Sequence, residues 1–309
     1  MALANASVYG KLRSSPEFLG SLPGDAGTDW LDWLDRANGM ASMDDAWLGA
    51  FHMGEAHGFT FRRTASTRGI LGAITPSQDS FGRPFPLMVV ASTGEDVVSR
   101  ALSYVPVAGH VFFRTASDVL RDARRAASPD HLSSVSKLEP PDGSAISVAG
   151  EEFNHWATRP GVLVKAWRGV FPRRGARGSL PVLTALAKLR DEPSHPTPSY
   201  ARFPLGAGGA AAASFWLRLL ACFVPESRIA MACWDMRPHG DLFVAIGAET
   251  PLESWLRLWL PDYVGADLLD ADKLSDLDIE SAKGLGEAAK RAAVSTEASV
   301  ADLLSCLTG

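Results

Sequence analysis

The sequence predicts an α+β fold in which an antiparallel sheet is flanked by helices, followed by a second, smaller α+β domain. Three apolar runs of strand length, at residues 58–62, 70–74 and 85–91, follow one another with turn residues between them. Helical patterns precede and follow this block, so strands and helices do not alternate along the chain. That order favours an antiparallel meander covered by helices, comparable by fold-level analogy to the profilin and longin folds.

The elements before the meander are a short strand, predicted at residues 7–11, and helices rich in tryptophan. Trp30 and Trp33 recur at helical spacing with other apolar residues, and a cap is expected at Thr28 or Asp29. After the meander, the pattern predicts an amphipathic helix from Ser117 onwards, at residues 117–127. Most of the nine tryptophans should lie in the core, while one or two exposed rings would make good interface anchors.

The second half carries its own strand and helix signals. Residues 229–234 and 242–246 predict a hairpin, and Thr250 with Glu253 three residues later predicts a capped helix start. The apolar segment at residues 207–224 begins with a Gly/Ala-rich loop and lies between prolines. We expect it to form a buried helix rather than a membrane span.

The domain organisation follows from changes in composition. We predict an N-terminal α+β domain at residues 1–130 and a second α+β domain at residues 151–262. Residues 131–150, rich in proline, glycine and serine, predict a linker between them. Residues 263–309 predict an acidic, partly helical tail that packs in part, with a final helix at residues 296–307.

Composition and charge limit the classes of function. The 309 residues are 46% hydrophobic and 21% charged, which is typical of a globular chain able to bury a sizeable core. The net charge of −5 argues against general attraction to nucleic acid or to an anionic membrane. The three cysteines have no metal-binding spacing, and the N-terminus has no secretory signal pattern. These observations favour a cytoplasmic protein.

Residue patterns that carry catalysis or metal binding are weak. His52, Glu55 and His57 lie close in sequence, but their spacing matches no ligand motif, and flanking glycines disfavour a continuous helix. The Gly-rich segment starting at Gly206 lacks the Lys-Ser/Thr pair of a phosphate-binding loop, so a tight loop entering an alanine-rich helix explains it better. We therefore expect no catalytic residue, no metal and no cofactor.

A series of short motifs gives the sequence its most specific signal. In order they are YGKL from Tyr9, WLDWL from Trp30, AWL from Ala46, GAITPS from Gly72, and DSFGRPFPL from Asp79. Across residues 8–92, in order and spacing, the chain resembles the TagF (ImpM) family of type VI secretion accessory proteins. It departs from the family pattern at Arg13, where proline is usual, and at residues 14–17, which replace an Arg-Gly-Asp stretch.

The resemblance implies a non-enzymatic, cytoplasmic regulator of type VI secretion. Members of the family are associated with post-translational repression of secretion-system assembly through a forkhead-associated scaffold protein. Some relatives are fused to a PP2C-type phosphatase. No such domain is visible in this sequence, so any phosphatase of the pathway would be a separate chain.

We predict that the partner-binding surface centres on the loop between the second and third strands of the meander. The proposed contact residues are Pro76, Ser77, Asp79, Gly82, Arg83 and Phe85, together with Tyr9 and Lys11 of the opening motif. Asp79 and Arg83 could pair across the turn, and an exposed pair of this kind contributes only ~0–1 kcal/mol. From the residues alone, a brace for the turn and a binding role remain equally open.

Two other functions remain as alternatives. The chain could be a constitutive structural component of the secretion apparatus, in which case it would co-purify with it in fixed stoichiometry. It could also be a hydrolase that uses Asp79 with a histidine brought near by the fold, although no motif predicts this. A histidine within reach of Asp79 would favour the hydrolase.

Overall fold

The computed structural model describes residues 6–22, 24–62, 69–93, 97, 101–171, 174–191, 199–247, 249–260, 268–274 and 285–308. The strands are β1 Ser7–Gly10, β2 Leu19–Gly20, β3 His57–Arg62, β4 Gly69–Thr75, β5 Leu87–Thr93, β6 Ser199–Pro204, β7 Ile229–Asp235, β8 Asp241–Ile246 and β9 Leu268–Asp270. The α-helices are α1 Gly24–Ala41, α2 Asp45–Met53, α3 Val105–Ala108, α4 His110–Ala126, α5 Gly143–Ala157, α6 Val162–Val170, α7 Ser179–Asp191, α8 Gly209–Leu220, α9 Glu253–Trp259, α10 Glu287–Val294 and α11 Val300–Thr308. Shorter 3-10 turns cover Leu102–Tyr104, Pro129–Lys137, Gly175–Gly178, Gly206–Gly208 and Glu226–Arg228.

The strands of both halves form one sheet. Within the described part of the chain its order is β2-β1-β5-β4-β3-β7-β8-β6-β9, antiparallel throughout except for the parallel pair β6 and β9. The predicted α+β class with an antiparallel sheet is therefore confirmed. The second α+β unit, however, has no separate sheet, because β3 pairs with β7 over five residues from His57↔Asp235 to Phe61↔Met231.

Burial on both faces explains why the two halves join. Every residue of β4 and β7 is buried, and all of β3 except His57 is buried as well. A strand buried in this way cannot remain a free sheet edge, since its unpaired backbone groups would be shielded from water. Pairing β3 with β7 gives hydrogen-bond partners to the backbone groups along the facing edges of both strands.

Two apolar cores cover the two faces of this sheet. On one face, α1, α2 and α9 pack six tryptophan and phenylalanine rings against the sheet, namely Trp30, Trp33, Trp47, Phe51, Trp255 and Trp259. On the other face, helices α4 to α8, α10 and α11 bury a larger apolar set that includes Trp167, Trp216 and Trp234. Eight tryptophans are buried and Trp156 is half-buried, so the predicted exposed tryptophan anchor is wrong.

Most predicted local elements agree with the structure within a few residues, but α4 begins at His110, seven residues before the predicted start at Ser117, and some caps differ. Helix α1 begins at Gly24, ahead of the caps predicted at Thr28 and Asp29. Helix α9 begins at Glu253 and has no side-chain cap from Thr250. The hydroxyl of Thr250 is buried and makes no hydrogen bond to the described residues, while its carbonyl accepts a hydrogen bond of 2.7 Å from the indole of Trp33.

Residues 131–150 differ from the predicted linker. The segment Pro129–Lys137 forms a 3-10 helix and α5 begins at Gly143, where the carboxylate of Asp142 accepts a hydrogen bond of 2.8 Å from the backbone N–H of Ala145. The turn-like composition at residues 140–144 therefore marks a helix N-terminus. The division of the chain into domains stays a prediction.

In the predicted tail, the described residues are packed. Strand β9 pairs with β6, and α10 and α11 bury Ala289, Ala293, Val300, Leu303 and Leu307. The final helix begins at Val300, later than the predicted start at residue 296. Most of the acidic run lies outside the described residues.

Candidate functional site

The loop predicted to bind a partner is a narrow hairpin end that extends from β4 and β5. The N–H of Phe85 donates to the carbonyl of Ser77 at 3.1 Å, and the N–H of Asp79 donates to the carbonyl of Arg83 at 3.2 Å. The N–H of Gly82 closes the turn onto the carbonyl of Asp79 at 3.0 Å, and Gly82 has a φ of 81°. Since glycine adopts this backbone conformation readily, its place in the turn has a steric reason.

Asp79 is the centre of the loop. Its Oδ1 accepts hydrogen bonds of 2.9 Å from the backbone N–H groups of Phe81 and Arg83. Its Oδ2 accepts 2.9 Å from Lys11 Nζ and 2.6 Å from Arg83 Nε. The predicted Asp79–Arg83 pair is thus formed, but Asp79 is only 1% exposed, so the pair is not the exposed one that the sequence predicts.

The electrostatics of Asp79 follow from these contacts. Burial by itself raises the pKa of a carboxyl group, but the hydrogen bonds from Lys11, Arg83 and the backbone of Phe81 outweigh it and hold the pKa of Asp79 below its usual range. The carboxylate is therefore charged and fully engaged. A general base needs a free lone pair and a pKa close to the working pH, which Asp79 does not offer.

A second loop, at residues 11–18 between β1 and β2, is attached to the first. The N–H of Ser80 donates to the carbonyl of Ser15 at 3.2 Å, and Arg83 Nη2 donates to the carbonyl of Pro16 at 3.4 Å. Lys11 adds the ion pair with Asp79, in which the lysine side chain is 10% exposed and the carboxylate 0%. We call these two joined segments, residues 11–18 and 76–86, the braced loop pair.

Three aromatic rings fill the space beside the braced loop pair. Phe18 stacks on Tyr9 at 5.3 Å between ring centroids and meets Phe85 edge-on at 4.8 Å. Lys11 Nζ lies 4.8 Å from the centroid of the Phe18 ring, a cation–π geometry. Burial, and secondarily the charge of Asp35, raises the pKa of the Tyr9 phenol, so Tyr9 is neutral at physiological pH.

Helices from both halves hold the base of the loop. Asn38 of α1 donates from Nδ2 to the carbonyl of Pro84 at 2.9 Å. Its Oδ1 accepts from the indole N–H of Trp255, in α9, at 3.3 Å. The orientation of the braced loop pair is therefore tied to the main aromatic core.

The structure brings all eight predicted site residues together but divides them by exposure. Gly82 and Arg83 are exposed and Tyr9 is half-buried, whereas the others are buried, namely Pro76, Ser77, Asp79, Phe85 and Lys11. The buried residues offer little surface to a partner as the loop stands, and a binding role for the eight residues stays a prediction. The buried residues hold the loop in shape because their polar atoms and rings face inward.

Two exposed aromatic residues at this site escaped the prediction. Phe81 is 73% exposed at the tip of the turn, and Phe18 is 43% exposed on the neighbouring loop. The signal for Phe81 was present in the sequence, because a phenylalanine between Ser80 and Gly82 is an apolar side chain at a turn position where polar residues are usual.

The other candidate sites carry little chemistry. His57 contacts the carbonyl of Glu55 at 3.0 Å and meets the ring of Trp259 edge-on, and its burial lowers the pKa of the imidazole. Among the described residues, no group of histidine, cysteine, aspartate and glutamate side chains could hold a metal ion. The Gly206–Gly208 turn leads into the alanine-rich helix α8, as predicted.

No helix in the described ranges has the length and apolar composition needed to cross a membrane. Helix α8, the main apolar candidate from the sequence, is 12 residues long. It packs its buried residues into the larger core instead.

Comparison with known proteins places the braced loop pair inside a recognised domain. Residues 7–138 match the model of the TagF N-terminal domain, described as type VI secretion system-associated. No curated protein matches the chain. A solved structure with similarity is PA0076 from Pseudomonas aeruginosa PAO1, at 23% identity over 44% of this chain and 63% of that chain, with a TM-score of 0.34.

At that TM-score the structural similarity carries no argument, and the match spans less than two thirds of the other chain. The family match is the informative finding, since it includes every motif that the sequence analysis singled out between Tyr9 and Leu87. The chain therefore carries a TagF N-terminal domain and is a type VI secretion-associated protein.

Proposed function

We propose that this chain represses assembly of a type VI secretion system after translation, by binding the forkhead-associated scaffold protein that supports assembly. The observation that carries the proposal is the braced loop pair within the TagF N-terminal domain, at residues 11–18 and 76–86. Its buried parts are bonded to one another, and the ring of Phe81 stands 73% exposed at its tip. A non-enzymatic binding role accounts for both properties.

The rigidity of the loop supports a binding role. A flexible loop loses conformational entropy when it binds, at about 0.5–1.5 kcal/mol for each immobilised side chain. In the braced loop pair that cost is met during folding, because Asp79 already fixes Lys11, Arg83 and the backbone at Phe81. A surface that is already ordered before binding therefore reaches a higher affinity than a flexible surface that makes the same contacts.

The proposal places the chain in the cytoplasm, where an assembly scaffold is accessible and the cysteines remain reduced. Cys222, Cys233 and Cys306 are all free. The repressor itself needs no cofactor in this proposal.

Direct binding is the first test. The purified full chain is titrated into the purified forkhead-associated scaffold protein of the same host, and heat release is recorded. The proposal expects saturable binding at a fixed stoichiometry. Absence of binding at protein concentrations of tens of micromolar would remove the proposed partner.

Secretion in the host separates repression from a constitutive structural role. Overexpression of a repressor lowers effector export, and deletion raises it or makes it unregulated. A structural component behaves in the opposite way, since its deletion abolishes export and it co-purifies with the assembled apparatus in constant stoichiometry. If neither overexpression nor deletion changes effector export, the proposal that the chain is a repressor is contradicted.

A further inference from the structure

The exposed tip of the braced loop pair combines an aromatic ring and a cation in a fixed arrangement. Phe81 is 73% exposed, and the Arg83 side chain is 59% exposed beside it. The guanidinium carbon of Arg83 lies 5.2 Å from the centroid of the Phe81 ring. An exposed ring of this size at a turn has a solvation cost, and protein interfaces commonly offset such a cost.

The bonds of Arg83 leave part of its guanidinium group available. Nε donates to Asp79, and Nη2 makes a long hydrogen bond of 3.4 Å to the carbonyl of Pro16. Within the described part of the chain, Nη1 makes no hydrogen bond to protein. The inner edge of the guanidinium group thus fixes its position, while the outer edge can bind a carboxylate of another molecule.

Phe18 extends the apolar part of this surface. It is 43% exposed, and its ring is held by Tyr9 and Phe85. The second loop is bound to the first at Ser15 and Pro16, so Phe18 belongs to the same rigid unit as Phe81. We call Phe18, Phe81 and Arg83 the tip surface.

The local charge indicates what kind of partner fits. The braced loop pair contains three cations, Lys11, Arg13 and Arg83, against two carboxylates, Glu17 and Asp79. Lys11 and Asp79 are buried and neutralise each other, whereas Arg13, Glu17 and Arg83 are exposed. Asp35 of α1 is also exposed and close enough to raise the pKa of Tyr9, so it offsets one of these cations. The positive character is therefore confined to the free edge of the Arg83 guanidinium group, which favours a carboxylate of the partner at that point.

We infer that the tip surface is the docking site for the partner protein, which presents an apolar pocket to Phe81 and a carboxylate to Arg83. This inference rests on the proposed function and adds the contact residues and the chemistry of the partner. Asp79 has a different role: it holds Phe81 and Arg83 in position and does not touch the partner.

The test uses the full chain and the scaffold protein in the titration described above, with three variants. Phe81→Ala removes the ring, Arg83→Lys keeps the charge but loses the planar guanidinium group, and Val294→Ala truncates an apolar side chain on α10 that is 44% exposed. Thermal melting confirms that each variant is folded. We expect Phe81→Ala to weaken binding roughly thirtyfold, as for an interface hot spot, with Val294→Ala within twofold of wild type.

The outcomes separate this inference from the proposed function. If wild type binds the scaffold and folded Phe81→Ala binds equally well, the tip surface is not the docking site, while the proposed function stands. Arg83→Lys weakening binding less than threefold contradicts a bidentate contact between the Arg83 guanidinium group and a carboxylate of the partner. If wild type does not bind the scaffold but represses export, and Phe81→Ala loses repression, the surface is supported and the proposed partner is wrong. If wild type neither binds nor represses, both proposals fall.

Discussion

Replacement of Asp79 by asparagine is the sharpest test of how the braced loop pair is held. Asparagine has nearly the same shape, so its oxygen can still accept from the backbone N–H groups of Phe81 and Arg83. Its amide nitrogen, however, replaces Oδ2 and directs a donor at two other donors, Lys11 Nζ and Arg83 Nε. The change removes a charge and leaves no cavity.

The expected loss of stability comes mainly from Lys11. Its side chain is 10% exposed, and removing one partner of a buried ion pair typically costs about 3–5 kcal/mol because the remaining charge stays buried. The contact with Arg83 adds little, since that side chain is 59% exposed and can turn to solvent, which limits such a pair to about 0–1 kcal/mol. With an unfolding entropy of about 2.1 cal/mol/K per residue over 309 residues, a loss of about 3–5 kcal/mol lowers the melting temperature by roughly 5–8 °C.

The assay is urea denaturation followed by tryptophan fluorescence, with the double variant Asp79→Asn/Lys11→Met as its control. Methionine removes the charge that Asp79→Asn leaves uncompensated, so the double variant should be more stable than the single one. A loss below about 1 kcal/mol for Asp79→Asn would refute the reasoning. So would a double variant that is no more stable than the single one.

Further predictions concern acid, glycine and thiol chemistry. Because the pKa of Asp79 is lowered by folding, its contribution is present above its unfolded pKa of about 3.9 and is lost as pH falls further, so the stability gap between wild type and Asp79→Asn should shrink in acid melts below about pH 4. Gly82→Ala should cost about 1–2 kcal/mol from its φ of 81° alone, because its Cβ would meet open space. Gly10→Ala should cost at least twice as much in the same urea titration, since its φ is 132° and its Cβ would lie 2.1 Å from the carbonyl oxygen of Pro86; equal losses would contradict this account. A maleimide should label one thiol rapidly in the native chain, the exposed Cys306, because burial raises the pKa of both Cys222 and Cys233. Rapid labelling that persists in Cys306→Ser would contradict this prediction.

Local patterns predicted the meander and the C-terminal hairpin well, because the apolar strand signals there are strong. The predicted runs at residues 70–74 and 229–234 lie within strands β4 and β7. The capping signal at Thr250 failed: the helix begins at Glu253 without a side-chain cap, and Thr250 is packed through its carbonyl against Trp33, 217 positions away. Interactions between distant residues are invisible to a rule that examines four residues.

At the candidate site, too, local sequence patterns predicted some features, while contacts between distant residues could not be predicted. The motif order identified the loop, and the Asp79 side chain does satisfy the loop amides as its residue type suggests. The burial of Asp79 could not be predicted, because it depends on Lys11, 68 positions away, and on a second loop folded over the first. That same packing leaves Phe81, which the sequence analysis passed over, exposed.

The sequence by itself determined the α+β class, the main strands, the aromatic helices and the TagF resemblance, since each depends on short-range periodicity or on motif order. Only the tertiary structure decided that the nine strands of the described ranges join into one sheet, and that the site divides into buried braces and an exposed tip. The physical reason is that edge pairing and burial depend on which surfaces meet in space. β3 meets β7, and Lys11 meets Asp79, only after the chain has folded.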